Sequence, residues 1–147
     1  MIEVRGDLWT YPADARVITT NGTIKKNGEA VMGAGCALEA KRRWPELPKV
    51  LGNLLKKGNN PYNLSGHVDI NLWTFPVKWH WNQKADLSLI DHSAKELATK
   101  LDPIYPNDRG HVIVIPRPGC GNGGLKWDDV REVIGPIFDD RFHIITF

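Results

Sequence analysis

The chain has 147 residues, of which 41% are hydrophobic and 24% charged. This is the composition of one globular domain and excludes a disordered, collagen-like or coiled-coil chain. Nineteen basic against seventeen acidic residues leave a formal charge of +2, too small to indicate nucleic-acid binding from net charge alone. No apolar run approaches the roughly 20 residues that cross a bilayer, and the N-terminus lacks a signal-peptide pattern. We therefore expect a single cytoplasmic domain over residues 1–147 with no membrane partner.

The cysteines and histidines do not form a metal-binding pattern. Cys36 and Cys120 lie far apart, each in a glycine-rich stretch, so the sequence contains neither a C-x-x-C motif nor a disulfide framework. The five histidines also lack metal-ligand spacing. We expect reduced cysteines, no metal and no resident cofactor.

Two predicted strands open the chain. Residues 2–5 alternate apolar and polar side chains, and residues 16–21 form a β-branched run that ends at a turn residue. A glycine-rich loop at 32–35 then leads into a helix that ends before Pro45. A second short helix is predicted at 47–57.

The second half continues the alternation of strands and helices. Residues 67–75 alternate as a strand should until Pro76, which we expect to end its ladder. Apolar residues recur at helical spacing over 87–101, with Asp86 and Ser88 available to cap the start of this helix. Residues 111–116 form a β-branched strand of the kind buried on both faces. The remaining predicted elements are a helix at 127–138 and a strand at 142–147. This alternation predicts an α/β domain with helices covering a mostly parallel sheet.

Two glycine-rich loops come directly before helices, at 33–35 and 119–124. In open α/β sheets such loops lie at the carboxyl ends of the strands, where ligands bind. Main-chain N–H groups and helix N-termini there suit a diphosphate. For each loop alone, the alternative is a tight turn that requires positive φ. Neither loop matches a P-loop or the G-x-G-x-x-G dinucleotide fingerprint.

Five motifs in chain order carry a family resemblance. They are Gly6-Asp7-Leu8, residues 17–21 (VITTN), 31–35 (VMGAG), 75–81 (FPVKWHW) and 116–127 (PRPGCGNGGLKW). Together they resemble the macrodomain family, which binds ADP-ribose. The lysine-bearing motif is similar to the branch of DarG-type DNA-ADP-ribosylation antitoxins and the terminal ADP-ribose protein glycohydrolase. The resemblance spans nearly the whole chain and implies a three-layer α/β/α fold with a mixed, mostly parallel central sheet.

The resemblance also implies a set of ligand-binding residues. Asp7 would accept from the adenine amine, Asn21 would contact the distal ribose, and Phe147 would stack on adenine. Read from the residues alone, Asp7 and Asn21 are ordinary turn residues, and a terminal-strand phenylalanine usually belongs to the core. The implied ligand-binding residues are Asp7, Leu8, Asn21, Met32, Gly33, Ala34, Gly35, Pro118, Gly119, Cys120, Gly121, Asn122, Gly123 and Phe147.

Lys78 is the catalytic residue that the resemblance implies. Cleavage at the anomeric carbon develops oxocarbenium character, which a fixed cation opposes. Burial among Phe75, Trp79 and Trp81 would favour an uncharged amine that can attack the opened sugar and form a Schiff base. The alternatives are a protonated Lys78 that holds a phosphate or carbonyl, or a plain solvated lysine.

Residues of the second glycine loop and of the lysine-bearing motif indicate which molecule carries the ADP-ribose. The protein-specific glycohydrolases carry an aspartate where this chain has Gly123, whereas DarG-type members have glycine, which favours ADP-ribose on a DNA base. Trp79, His80 and Trp81 are candidate substrate contacts. Residues 41–43 (KRR) could contact single-stranded DNA, or they could be a solvated face that complements a helix dipole.

The resulting hypothesis is an ADP-ribosyl hydrolase that removes ADP-ribose from DNA thymidine or from protein, and thus an antitoxin-like protein with a cognate ADP-ribosyltransferase toxin as partner. One alternative is an ADP-ribose 1″-phosphate phosphatase. The other is a catalytically silent module that binds ADP-ribose.

Overall fold

A computed structural model describes residues 1–147. The strands are β1 (Ile2–Arg5), β2 (Ala15–Asn21), β3 (Leu72–Lys78), β4 (Ile113–Pro116) and β5 (Phe142–Thr146). The helices are α1 (Gly35–Arg43), α2 (Leu47–Leu55), α3 (Leu87–Leu101) and α4 (Trp127–Ile134). None of these helices is long and apolar enough to cross a membrane.

The five strands form one sheet in the order β1-β5-β4-β2-β3, and every neighbouring pair runs parallel. Antiparallel pairing is confined to two isolated bridges, Ile24 with Ala30 and Asn63 with Trp73. The predicted mostly parallel sheet is confirmed. Because the strands are parallel, all five carboxyl ends lie at the same edge, and the loops that follow them meet there.

Helices cover both faces of the sheet, so the predicted three layers are confirmed. Successive side chains of a strand point to opposite faces, and in β2 Val17 joins the core beneath α3 and α4 while Ile18 joins the core beneath α1 and α2. Both side chains are fully buried. A strand buried on both faces needs apolar residues at consecutive positions, which β2 supplies.

The prediction for the third strand is wrong at both ends. Residues 67–70 form a turn and bends, and β3 begins only at Leu72 and continues through Pro76 to Lys78. A proline without an N–H donor is tolerated because β3 is the terminal strand of the sheet. The ladder shifts register just after Pro76 pairs with Thr20, and the Pro76 carbonyl accepts a hydrogen bond of 2.8 Å from Ser93 Oγ.

The other predicted elements exist with small changes of length. Helix α3 begins where the capping pattern indicated, since Asp86 Oδ1 accepts hydrogen bonds from the backbone N–H groups of Ser88 and Leu89. Strand β4 begins at Ile113 because the N–H of Val112 donates to Asp14 Oδ2 at 2.7 Å, outside the ladder. Helix α4 ends at Ile134, four residues before the predicted end.

Candidate functional site

A cavity of about 1020 Å³ lies along the carboxyl edge of the sheet. Each strand places a residue at or just beyond its end on the cavity wall: Asp7 after β1, Asn21 in β2, Lys78 in β3, Arg117 after β4 and Phe147 after β5. The volume is at the upper end of the range for small-molecule and cofactor sites. The strand order therefore determines the order of these residues along the cavity.

The first glycine loop brings the N-terminus of α1 to the cavity. Gly33, Ala34 and Gly35 line the wall, and Gly35 begins the helix with φ at +57°. Ala34 precedes the helix in an extended conformation without a side-chain cap, and the first turn has no acidic residue. The first N–H groups of α1 are thus left without side-chain acceptors, an arrangement suited to an anion.

The second glycine loop faces the first across the cavity. Gly119, Gly121 and Gly123 line the wall, and a methyl group added to Gly35 would lie 3.4 Å from the Asn122 side-chain nitrogen. Both loops can therefore contact one ligand.

Gly123 has no room for a side chain. A Cβ there would lie 2.4 Å from the Gly119 carbonyl oxygen and 2.8 Å from the Ala85 methyl group. The Gly123 carbonyl also accepts a 2.9 Å hydrogen bond from the Ala85 N–H. An aspartate at this position would require the loop to move.

Lys78 connects the end of β3 to the second glycine loop. Its side-chain nitrogen donates to the main-chain oxygens of Trp81 and Asn122, both at 3.3 Å. The two carbonyl oxygens accept these bonds and fix the position of the side-chain nitrogen. Lys78 is thereby held on the wall of the cavity.

The predicted burial of the Lys78 amine among aromatic rings is wrong. Trp79 and Trp81 are 50% and 58% exposed. Phe75 is fully buried in the core beneath α3 and α4, where it packs edge-to-face with Phe138. The alternation of side chains along β3 separates Phe75 from Lys78, and the segment after the strand carries both tryptophans into solvent.

Comparisons with known proteins agree with this geometry, although no family model matches the chain. The macrodomain of Mycobacterium tuberculosis DarG is 27% identical and has a TM-score of 0.77, covering 98% of this chain and 95% of that one. The chain has the macrodomain fold. At the level of fold alone, this macrodomain is similar to Thermosipho africanus DarTG in complex with ADP-ribose, with a TM-score of 0.70, 21% identity and coverage of 98% of this chain and 41% of that one.

Among curated proteins, a Mycobacterium tuberculosis protein named DNA ADP-ribosyl glycohydrolase is 31% identical over 134 residues, or 86% of this chain. The macrodomain spans about a third of the length of the curated relatives it matches: 35% of this protein and 36% of a Thermus aquaticus protein of the same name.

Asp7 and Asn21 of the macrodomain each fill a turn role and also line the cavity. Asp7 Oδ1 accepts from the Trp9 N–H at 2.7 Å. The Asn21 side-chain amide donates to the Val31 carbonyl at 3.0 Å and accepts from the Thr23 N–H at 2.9 Å. These bonds leave one Asp7 carboxylate oxygen and one Asn21 N–H available to a ligand.

Most predicted site residues line the cavity, and five do not. Lys78 does, and so do Asp7, Leu8, Asn21, Gly33, Ala34, Gly35, Gly119, Gly121, Asn122, Gly123, Phe147 and Trp81. The five residues outside the wall are Met32, Pro118, Cys120, Trp79 and His80. Met32 packs instead in the core beneath α1 and α2, and the Cys120 thiol lies 3.5 Å from the Pro118 carbonyl. Met32 lies between Val31 and Gly33, which both line the wall, and its own side chain points away and is buried. Pro118 and Cys120 lie in the turns of the second glycine loop, where the glycines face the cavity.

Sequence reasoning missed several polar residues on the wall, among them Thr20, Cys36 and Arg117. Thr20 Oγ1 is buried without a hydrogen-bond partner. The Cys36 thiol lies 3.3 Å from the Thr19 N–H, and burial raises its pKa despite the hydrogen bonds from Thr19. For Cys36 and Arg117, the signal in the sequence that could have identified them is their position beside a glycine loop.

Arg117 is held at the cavity by its neighbours. Its guanidinium lies 4.9 Å from the Trp127 ring centroid and 3.5 Å from Glu3 Oε1. This pairing gives the wall a cation between the ends of β5 and β2.

The basic run at 41–43 occupies the end of α1 remote from the first glycine loop. The Arg43 guanidinium stacks 4.6 Å from the Trp9 ring centroid, and Trp9 packs edge-to-face with Trp44. These charges complement the dipole at the C-terminus of α1. This agrees with the second of the two interpretations of residues 41–43, a solvated face at a helix end.

Proposed function

We propose that this macrodomain binds ADP-ribose in the cavity and releases it from a macromolecule, with ADP-ribosylated thymidine in DNA as the substrate. One observation carries the proposal: the Lys78 side-chain nitrogen and two glycine loops meet on one cavity wall at the carboxyl edge of the sheet. The two loops suit a diphosphate, and Lys78 lies at the β3 end of the cavity. The names of the curated relatives support the DNA substrate.

The order of the strands supports one orientation of the ligand. Asp7 and Phe147 mark the β1–β5 end of the cavity, which we assign to adenine. The N-terminus of α1 and the second glycine loop suit the diphosphate. Asn21 and Lys78 mark the β2–β3 end, which would hold the distal ribose and its attached group.

The hydrogen bonds of Lys78 support a proton-donor mechanism. When the bond from the sugar C1″ to the thymine nitrogen breaks, the electron pair leaves with the base, and the Lys78 ammonium gives that nitrogen a proton. Water then adds to C1″ and returns a proton to the lysine amine. Because the positive charge leaves the lysine while the oxocarbenium-like sugar forms, the cation does not oppose the transition state.

The tight packing at Gly123 supports a DNA base over an acidic protein side chain as the modified group. The protein-specific branch has a carboxylate at this position, which acts beside the lysine. In this chain even a Cβ there would meet the Gly119 carbonyl oxygen at 2.4 Å.

We further propose an ADP-ribosyltransferase toxin as the cognate partner, supported by a Thermosipho africanus relative named as a fusion of a DNA ADP-ribosyl transferase and glycohydrolase.

The test is Lys78→Ala, with Lys49→Ala as a matched control because Lys49 is exposed on α2 and does not line the cavity. Release of ADP-ribose from thymidine-modified single-stranded DNA is measured beside ADP-ribose calorimetry. We expect Lys78→Ala to lose at least about 100-fold in turnover, in line with loss of a general acid, while ADP-ribose still binds.

Other outcomes of this test each exclude part of the proposal. Equal turnover in Lys78→Ala and the parent removes Lys78 from the mechanism. Binding of ADP-ribose with no turnover of modified DNA by the parent leaves only the binding module. Phosphate release from ADP-ribose 1″-phosphate without activity on DNA makes the protein a phosphatase.

Cyanoborohydride separates the two possible roles of Lys78. A Schiff base between Lys78 and the opened sugar would be reduced to a stable adduct, detectable by mass spectrometry. The proton-donor mechanism forms no adduct under turnover conditions.

A further inference from the structure

Two large aromatic side chains beside the cavity are exposed to solvent. Trp79 and Trp81 are 50% and 58% exposed, whereas Trp73 in the adjoining strand is 4% exposed. Trp81 also lines the cavity, close to Lys78. Exposed tryptophans next to a binding site are typical of a surface that contacts a ligand.

Polar contacts hold this exposed segment in place. The backbone N–H of Trp81 donates to Thr23 Oγ1 at 3.0 Å, and the Trp81 carbonyl accepts from the Lys78 side-chain nitrogen at 3.3 Å. The Trp79 indole N–H donates to Asp86 Oδ2 at 3.3 Å. The Trp79 ring and the backbone of Trp81 are therefore preorganised, which lowers the entropy lost when a partner binds.

Three exposed lysines lie near this segment. Lys25 and Lys26 are at the cavity wall, next to the Thr23 that holds Trp81. Lys84 follows Trp81 by three residues, with its alkyl chain beside Gly124 of the second glycine loop.

The nearby carboxylates are already engaged within the protein. Glu29 accepts from the Asn27 side chain at 2.7 Å, and Asp86 caps α3 and holds Trp79. The cavity wall itself carries Glu39 on α1. These three carboxylates are outnumbered by the four lysines of the same region, which are Lys25, Lys26, Lys78 and Lys84. The surface around the rings therefore has a local excess of one positive charge.

We propose that Trp79 and Trp81, together with Lys25, Lys26 and Lys84, form a platform that binds single-stranded DNA on either side of the modified nucleotide. This inference rests on the proposed function and adds the surface that holds the strand. The bases next to the modified thymidine stack on the indoles, and the lysines contact the phosphates. A duplex keeps its bases stacked on each other, so it cannot use the indoles in this way.

The test uses an unmodified, fluorescein-labelled thymidine 12-mer, and binding is followed by fluorescence anisotropy. Trp79→Ala is expected to weaken binding about tenfold, the loss of one stacked base. Trp79→Phe keeps an aromatic face and is expected to bind within about threefold of the parent. The control is Ile104→Ala, which removes a side chain that is 48% exposed at the opposite edge of the sheet and is expected to change nothing.

The lysines are tested by the salt dependence of the same binding. Replacing Lys25 and Lys26 by glutamine is expected to lower the slope of log affinity against log salt by about 1 to 1.5, the amount for two lost phosphate contacts on a single strand. Lys49→Gln on α2 is expected to keep the parental slope.

ADP-ribose calorimetry on the parent separates this inference from the proposed function. If the parent binds ADP-ribose but Trp79→Ala binds the 12-mer as tightly as the parent, the platform is wrong and the proposed function stands. Equal parental affinity for a duplex of the same length, or no affinity for the 12-mer, also overturns the platform. Failure of the parent to bind ADP-ribose overturns the proposed function.

Discussion

The side-chain nitrogen of Lys78 lies 3.3 Å from the main-chain oxygen of Asn122. The two residues are 44 positions apart, one at the end of β3 and the other in the loop between β4 and α4. This hydrogen bond ties the proposed catalytic group directly to the second glycine loop. The position of the lysine and the shape of the loop are therefore linked.

Lys78→Met should loosen the second glycine loop without unfolding the domain. The side chain is partly exposed, so the loss of its two hydrogen bonds should lower the free energy of unfolding by no more than about 1.5 kcal/mol. Amide hydrogen exchange should become faster at Gly124 and Leu125, whose N–H groups donate to carbonyls within this loop. Urea denaturation and exchange measured by mass spectrometry check both effects, and unchanged exchange would show that the bond to Asn122 does not order the loop.

Gly123→Ala should destabilise the protein far more than Gly121→Ala. A Cβ at Gly123 meets the Gly119 carbonyl oxygen at 2.4 Å, whereas a Cβ at Gly121 meets nothing within 4 Å. Overpacking of this kind costs about 1–3 kcal/mol. We expect a loss in that range for Gly123→Ala and a change within about 0.5 kcal/mol for Gly121→Ala, measured by urea denaturation. Similar losses for the two variants would contradict the tight loop geometry.

The Cys36 thiol should react slowly with iodoacetamide near neutral pH. Burial raises its pKa, opposed in part by hydrogen bonds from Thr19, so little reactive thiolate is present in the folded state. In a Cys120→Ser background, the rate should rise with increasing pH and on unfolding in urea. Because Cys36 lines the cavity, saturating ADP-ribose should slow the reaction further. Failure of ADP-ribose to protect Cys36 would argue against a ligand on that part of the wall.

The same thiol should make the protein less stable at alkaline pH. The folded state raises the pKa of Cys36, so its contribution is full below the ordinary thiol pKa of about 8.5 and is lost as the pH rises towards the folded value. The parent should lose more stability than Cys36→Ala between pH 8 and pH 10, as urea denaturation would show. An equal loss in both proteins would contradict this assignment.

Arg141 and Asp139 should account for part of the loss of stability in acid. Burial acts to raise the pKa of Asp139, but hydrogen bonds from Arg141 outweigh it and hold the pKa below its usual range. The contribution is therefore present above about pH 4 and disappears as the pH falls through the lowered pKa. Asp139→Asn should cost about 1–2 kcal/mol at pH 7, and the difference from the parent should shrink at pH 3.

The control for this prediction is Asp140→Asn. The Asp140 side chain is 86% exposed and pairs with the N-terminal amine at 3.4 Å. An exposed pair of this kind contributes little, so the variant should remain within about 0.5 kcal/mol of the parent at both pH values. A pH-independent cost for Asp139→Asn would assign its effect to packing and not to the carboxylate.

Local patterns in the sequence predicted most of the fold. The β-branched run around Val17 and Ile18 predicted a strand, and the cap at Asp86 predicted the start of α3. The error at Pro76 is instructive, because proline is excluded from the middle of a sheet but not from a terminal strand. Whether a strand is terminal depends on the order of all five strands, which no local pattern states.

For the candidate site, the sequence by itself determined which residues lie at the loops. Short motifs placed Asp7, Asn21, Lys78 and the two glycine loops beside strand ends. This was possible because turn chemistry and periodicity act over a few residues. Only the tertiary structure decided what these residues touch. Lys78 binds carbonyls where aromatic burial was expected, and Trp79 and Trp81 stand in solvent. Such contacts join residues far apart in the chain, so they are set by the packing of whole elements against one another.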